Sequence, residues 1–201
     1  VASVNPANSA TGVPRNRRVF VTFSENMDPA TISTNTVQLR NSSNTLITAT
    51  VAYDSATRVA TLTPSARLAS STTFTLTVRG GTTDPRVRDL AGNALAADFT
   101  STFRTGTTSD TTAPIVSSVN PANGAAGVAT NLVVTVTFNE NMDPTTISTS
   151  TIQLVNTASS ALIAATVTYN VTTRMATLTP STVLASATRY TVKALGGTTG
   201  L

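Results

Sequence analysis

VTFSENMDP, residues 21–29, is written a second time as VTFNENMDP, residues 136–144. Each copy is a β-branched run ending in Phe, then a polar turn, then Asp-Pro. Working outward, alignment of Val1 with Val116 gives 27 identical residues in the first 39 positions, which requires one fold for both copies. Self-similarity of this kind marks a tandem repeat. The 201 residues therefore divide into two modules of a size that buries an adequate core without metals or bridges. The expected boundaries are 1–106 for the first module, 107–113 for a polar linker and 114–201 for the second.

Around the repeated stretch the apolar residues alternate. Val19, Val21 and Phe23, and their copies Val134, Val136 and Phe138, have the period of a half-buried strand. VNPAN (4–8 and 119–123) reads as a short strand closed by an Asn-Pro turn, with Gly12-Val13 and Gly127-Val128 following. Asp28-Pro29 and Asp143-Pro144 resemble an N-cap with Pro at the first helical position, and ATIS or TTIS leaves room for one helical turn. Thr36-Val37-Gln38-Leu39 and its copy Thr151-Ile152-Gln153-Leu154 are next expected to start a strand. A one-residue slip in the Asn/Ser loop between Arg40 and Leu46 then changes the offset from 115 to 116. Loops tolerate such a slip, whereas in a strand it would flip the faces. LITATVAY (46–53) and ATRVATLTP (56–64) read as a hairpin about Asp54-Ser55, and TFTLTVR (73–79) as a strand with Phe74, Leu76 and Val78 inward. Many short strands and no room for a long helix give an all-β fold, two tandem β-sandwich modules.

Only the first module continues, through a loop ending DLAGN (89–93) to a strand carrying Phe99 and Phe103. Position for position Leu201 corresponds to Pro85, so the second module is expected to lack its final strand. That leaves 189–195 as an open edge. Continuation of the same polypeptide or a strand from a neighbouring copy would cover it. The start at Val1 rather than Met likewise suggests a piece of something longer.

Composition excludes several functions. Cys, His and Trp are absent, which rules out disulfides, Ser-His or Cys-His nucleophiles and the usual zinc sites. Twelve of the thirteen basic residues are Arg, scattered apart from Arg15-Asn16-Arg17-Arg18, which the second module replaces with Thr130-Asn131-Leu132-Val133. A nucleic-acid partner would need a clustered stripe with stacking aromatics. No stretch approaches a membrane span. The first module has no Lys and the second only Lys193, so no Lys–Asn cross-link is expected and stability rests on packing.

Three groups of residues are candidate sites. Glu25 and Asp28 recur as Glu140 and Asp143, a paired acid that reads as turn and cap chemistry before catalysis or calcium binding. Asp84, Asp89, Asn93 and Asp98 bring oxygen ligands to one loop, where calcium competes with a plain Asx turn. Asp110 could join an inter-module calcium site. No cofactor is expected otherwise. Finally, Thr61 and Thr63, Thr73, Thr75 and Thr77, Thr135 and Thr137, and Thr177 and Thr179 make rows of hydroxyls. Such rows suit solvent-side strands, or an ice or glycan surface. Tyr53 and Tyr169 share one strand position and read as core.

VNPANG, VTFNENMDPTTI, TYN…ATLTPS, LASATRYTV and DLAGNAL together resemble the bacterial Ig-like modules of S-layer, adhesin and other surface proteins. The resemblance spans nearly the whole chain. It implies a seven-stranded Ig-like or fibronectin-III-like sandwich, an extracellular setting at the cell surface, and use as a spacer or stalk. In some such proteins the modules flank enzymes or ligand-binding domains. Leu184-x-x-x-Thr188-x-Tyr190 resembles the tyrosine-corner spacing, which Phe74 cannot reproduce in the first module. The expected function is thus a non-enzymatic structural repeat of a layer, stalk or filament, whose partners are neighbouring Ig-like modules of the same or adjacent chains. The alternative is an adhesin-like module recognising a glycan, ice or a protein surface.

Overall fold

The computed structural model describes residues 1–197. The chain forms two compact units, Val1–Thr112 and Ala113–Leu201. In unit 1 the strands are β1 (Ser3–Asn5), β2 (Ala10–Val13), β3 (Val19–Thr22), β4 (Val37–Asn41), β5 (Ala49–Asp54), β6 (Val59–Pro64), β7 (Thr73–Val78) and β8 (Phe99–Thr105). They form two four-stranded sheets, β1-β3-β6-β5 and β2-β8-β7-β4. Strand pairs are antiparallel except β2 with β8, which is parallel.

The inner faces follow the period-two alternation. Val19, Val21 and Phe23 meet Ala60 and Leu62 from one side, and Val37, Leu39, Phe74, Leu76, Val78 and Phe103 from the other, in one buried cluster. Each fully buried Val, Leu or Phe contributes roughly 1.5–3 kcal/mol. Alternation predicts no strand at Ala10–Val13, where the sequence is ATGV; β2 forms because β8 lies alongside. The chain switches sheets between β1 and β2, with Ser9 at φ +63. Within residues 107–113, expected as a polar linker, Thr108 and Asp110 are bonded to Arg15 and Asn16 of unit 1. Arg15 N–H donates to Thr108 O, and Asn16 exchanges hydrogen bonds of 2.8 and 2.9 Å with the Asp110 backbone.

The repeated stretch is the tightest part of each unit. After β3, Phe23 N–H donates to Arg58 O (2.9 Å), and the Arg58 guanidinium reaches back to Ser24 O (2.7 Å). The Phe23 ring meets Tyr53 edge-on, centroids 6.1 Å apart, and the Tyr53 hydroxyl accepts the N–H of Met27 at 3.0 Å. One tyrosine on β5 therefore holds both ends of the Phe-to-Met turn. Asp28 then caps a 3-10 turn at Pro29–Thr31, its carboxylate accepting Ala30 N–H at 3.0 Å. Thr36, also repeated, is buried and donates to Thr31 O (2.6 Å) while accepting Ser33 N–H (3.0 Å).

Unit 2 repeats this. β9 (Val116–Asn120), β10 (Val134–Phe138), β12 (Ala165–Asn170) and β13 (Met175–Pro180) form a sheet in the order β12-β13-β10-β9. Phe138 meets Tyr169 at 6.4 Å, and Tyr169 accepts Met142 N–H at 2.9 Å. The second sheet differs: β11 (Ile152–Asn156) pairs β14 (Tyr190–Ala194), and among the described residues it has no third strand. Register with the first module predicts this edge. Residues 125–128 are not a strand, and Val128 is 38% exposed where Val13 is 7%. The corner at the start of β14 is formed, Tyr190 Oη accepting the N–H of Ala185 at 3.0 Å. Unit 1 holds the same loop from β8 instead, with Thr105 Oγ1 donating to Ala69 O (2.7 Å).

Two tests follow from these hydroxyls. Tyr53→Phe and Tyr169→Phe keep the ring and orphan a backbone N–H, so each should destabilise its unit by roughly 1–2 kcal/mol. The readout is a lower urea midpoint at unchanged slope; an unmoved midpoint would show that the turn is held by packing alone. Tyr190→Phe, at a more exposed bond, should cost roughly 0.5–1 kcal/mol, while Phe74→Tyr should give unit 1 no comparable gain. Equal midpoints for Tyr190→Phe and the parent chain would remove the corner as a source of stability.

Candidate functional site

In unit 1 the loop 84–98 folds against the turn 25–31, so two of the candidate groups meet. Met27 and Asp89 form an isolated bridge, Asp28 N–H donates to Arg88 O (2.9 Å), and Arg88 N–H donates to Thr31 Oγ1 (3.1 Å). Beside this junction lies a cleft of about 210 Å³ lined by Val1, Phe23, Glu25, Met27, Asp89 and Leu95 among others. That is below the roughly 300 Å³ of typical small-molecule sites.

The four calcium candidates are engaged separately. Asp84 is gripped by Arg86 Nε (3.1 Å) and by Arg88 Nη2, which reaches both of its oxygens at 3.1 Å. Desolvation works against its charge, but the hydrogen bond and charge of Arg88, then those of Arg86, outweigh it and hold the carboxyl below the usual range. Asp89 accepts the Asn93 backbone N–H (2.8 Å) and side-chain amide (2.9 Å), and chiefly those bonds lower its carboxyl as well. Asp98 accepts Gly80 N–H at 2.8 Å. Gly80 is required there, because a Cβ would lie 2.3 Å from Ala97 O. Among the described residues no three acidic side chains converge as a cation site would need. Asp110 forms a local turn, accepting Thr112 N–H at 3.0 Å.

Of the paired acids, the aspartates act on their own turns. Asp28 and Asp143 cap, Asp143 accepting both Thr145 N–H (3.0 Å) and Thr145 Oγ1–H (2.7 Å). Glu25 is exposed on the cleft rim. Glu25 and Asp89 are thus the acids that share a cleft, but general-acid work needs a carboxyl with a raised pKa, and that of Asp89 is lowered.

The threonine rows sit on outer sheet faces. In unit 1, Thr75 pairs Thr102 and Thr77 pairs Thr100 across β7 and β8. In unit 2, Thr135, Thr177 and Thr168 lie across three strands, with Thr166 beside Thr179. Thr61 departs from the expected exposed row. It is 6% exposed, its cross-strand neighbour on that face is Phe20 at 3%, and its hydroxyl has no hydrogen-bond partner. An aromatic on the outer face has buried a position that alternation assigns to solvent. Sequence reasoning also missed the hydroxyls of Tyr53 and Tyr169 and the guanidiniums of Arg86 and Arg88. The tyrosines at one position of both copies were the available signal.

Residues 1–105 and 110–199 each match the family model described as bacterial Ig-like domain. Over 136 residues the chain is 31% identical to an S-layer protein of Geobacillus stearothermophilus, covering 65% of this chain and 11% of that protein's length. Among solved structures it is similar to surface layer protein SbsC, domains 1–6, at 16% identity and TM-score 0.41, covering 96% of this chain and 25% of that one. The N-terminal part of the S-layer protein SbsC gives 16% identity and TM-score 0.40, covering 98% and 44%.

The loop acids give a pH test with a fixed sign. Both carboxyls are lowered in the folded chain, so their interactions are complete above the unfolded aspartate value of about 4 and are lost as pH falls through the folded value. NMR titration should place the Asp84 and Asp89 midpoints below those of the same residues in a short peptide. Millimolar calcium should leave the thermal midpoint of unit 1 unmoved, since a cation would have to displace Arg86, Arg88 and Asn93; a saturable rise would show that it does so.

Proposed function

The chain belongs to the bacterial Ig-like domain family, and from that premise we propose that its two modules are non-enzymatic structural repeats of an extracellular bacterial surface protein, spacing or building a layer, stalk or filament. The observation that carries this reading is which parts of the module are kept in both copies. The inner framework recurs almost unchanged: the Phe–Tyr pair, the tyrosine-held Met N–H, the Asp cap and the buried threonine under the 3-10 turn. Outside the repeated turn, much of the outer surface differs between the copies. Arg18, Arg67 and Arg79 are replaced at the matching positions by Val133, Val183 and Leu195. A module used for its shape keeps its framework and varies its surface, whereas a recognition site would hold surface residues fixed.

The repeated acids support the same reading, because each Asp serves the turn that bears it. The 31% identity to an S-layer protein supports a surface location and neighbours of the same kind. The partners of these modules are then adjoining Ig-like modules, in the same chain or an adjacent one.

Immunogold labelling of intact cells with antibody raised against the chain should mark the outside of the envelope. Label that appears only after lysis would overturn the surface assignment. The isolated chain should show no saturable binding to glycan arrays, ice or host proteins. A saturable ligand would favour the adhesin-like alternative over the spacer.

A further inference from the structure

We propose that the open edge of β5 is a self-association site, which pairs antiparallel with β5 of a second copy of the chain. The inference rests on the reading of these modules as neighbours of their own kind, and it names the surface by which two of them meet.

An open sheet ends in two edge strands, so the two sheets of unit 1 have β1, β5, β2 and β4 as edges. Unpaired N–H and C=O groups along an edge are a template for another strand. Folded proteins blunt such edges by shortness, irregular register, charge, proline or a covering loop. Three of the edges are blunted. β1 has three residues and runs into Pro6. β2 has four, and its register against β8 shifts between Ala10 and Val13. β4 is covered by the loop that follows it. Asn41 N–H donates to Thr45 O at 3.0 Å, Ile47 N–H donates to Leu39 O at 2.8 Å, and Arg40 and Leu46 form an isolated bridge.

β5 has none of these devices. Its six residues, ATVAYD, pair β6 without a register shift and contain no Lys, Arg, Pro or Gly. Its one charge, Asp54, lies at the end and serves the hairpin turn, accepting Ala56 N–H (2.9 Å) and Thr57 Oγ1–H (2.8 Å). Ser65 N–H donates to Thr48 O at 2.9 Å, which fixes the phase of the ladder. Thr50, Ala52 and Asp54 therefore bond β6, while Ala49, Val51 and Tyr53 turn their N–H and C=O groups to the open edge. Among the described residues no other strand lies beside them. The arrangement is repeated in unit 2. β12 reads ATVTYN, with Ser181 N–H on Ala164 O setting the same phase. β11 is covered as β4 is, Asn156 N–H donating to Ala161 O and Ile163 N–H to Leu154 O. Both copies cover β4 or β11 and leave β5 or β12 without a second ladder partner.

The occupant follows from the side chains. Antiparallel pairing about a two-fold axis at Val51 sets Ala49 opposite Tyr53 of the second copy and Val51 opposite Val51, each pair exchanging both main-chain hydrogen bonds. Thr50 and Ala52 are exposed on the outward face, and each then lies opposite the other. Asp54 falls opposite Thr48, so no like charges meet. Small and β-branched uncharged residues make this edge complementary to itself, whereas an edge built for a charged segment would carry the opposite sign. One such pairing buries little area and belongs to the weak class of interface. Several modules on one chain strengthen it by avidity.

The test is amide hydrogen exchange at Ala49, Val51 and Tyr53 in the whole chain, at about 10 µM and about 1 mM. Exchange at the higher concentration should be slower by at least about threefold, with a matching rise in sedimentation mass. Thr50→Lys with Ala52→Lys changes two exposed positions, sets like charges across the axis and should abolish the slowing. Thr50→Glu with Ala52→Glu should do the same, and an equimolar mixture of the two variants should restore it. Exchange in the parent chain that is the same at both concentrations overturns the proposal without recourse to any variant. Slowing that survives the Lys pair, or a mixture of folded variants that restores nothing, overturns it as well, because the contact then lies elsewhere. Either failure leaves the surface location standing, since labelling of intact cells tests that separately.

Discussion

A single phenol oxygen sets the geometry of each unit. Tyr53, on β5, accepts the N–H of Met27, while its ring lies against Phe23. The turn between those residues is polar and is held also by Arg58, which bonds Phe23 N–H and Ser24 O. With both ends fixed to one side chain, the 3-10 turn at Pro29–Thr31 starts at a defined place and β4 is delivered to the opposite sheet in register. The same oxygen in Tyr169 does this for unit 2. A polar tip on an apolar ring is what the position needs, since the ring packs in the core while its hydroxyl reaches the backbone.

How much of this was legible depends on what kind of contact was being read. Alternation located the strands of both inner faces, because burial on one side imposes period two. Duplication located the second copy of each framework element, because residue-by-residue correspondence carries Phe23, Met27, Asp28 and Tyr53 to Phe138, Met142, Asp143 and Tyr169. What alternation cannot show is a partner distant in sequence. β2 exists only because β8 lies parallel to it, and Thr61 is buried only because Phe20 sits across from it. The loop acids show the same limit. Asp84, Asp89 and Asp98 look alike as oxygen donors in the sequence. In the structure they are engaged by two arginines, an asparagine and a glycine N–H.

The two units also show where this fold tolerates change. Phe74 and Tyr190 stand at matching positions of the two units. With β8 present, the aromatic stacks and Thr105 fastens the neighbouring loop. At Tyr190 the phenol itself fastens that loop, through Ala185 N–H. One loop is thus secured by two chemically different devices, and neither belongs to the inner framework that both units share.

The parallel contact of β2 with β8 has a mechanical consequence. It places β2, the second strand of unit 1, beside β8, the last, with both running the same way. Tension transmitted to β2 from the N-terminal side and to β8 from the C-terminal side pulls these two strands past each other along their length. The hydrogen bonds between them then bear the load together, whereas a hairpin pulled from its open end gives way one bond at a time. Resistance to such loading is governed by the unfolding rate rather than by equilibrium stability. The four-residue clamp at Ala10–Val13 therefore matters to the durability of unit 1 under stretch far beyond its share of the buried surface.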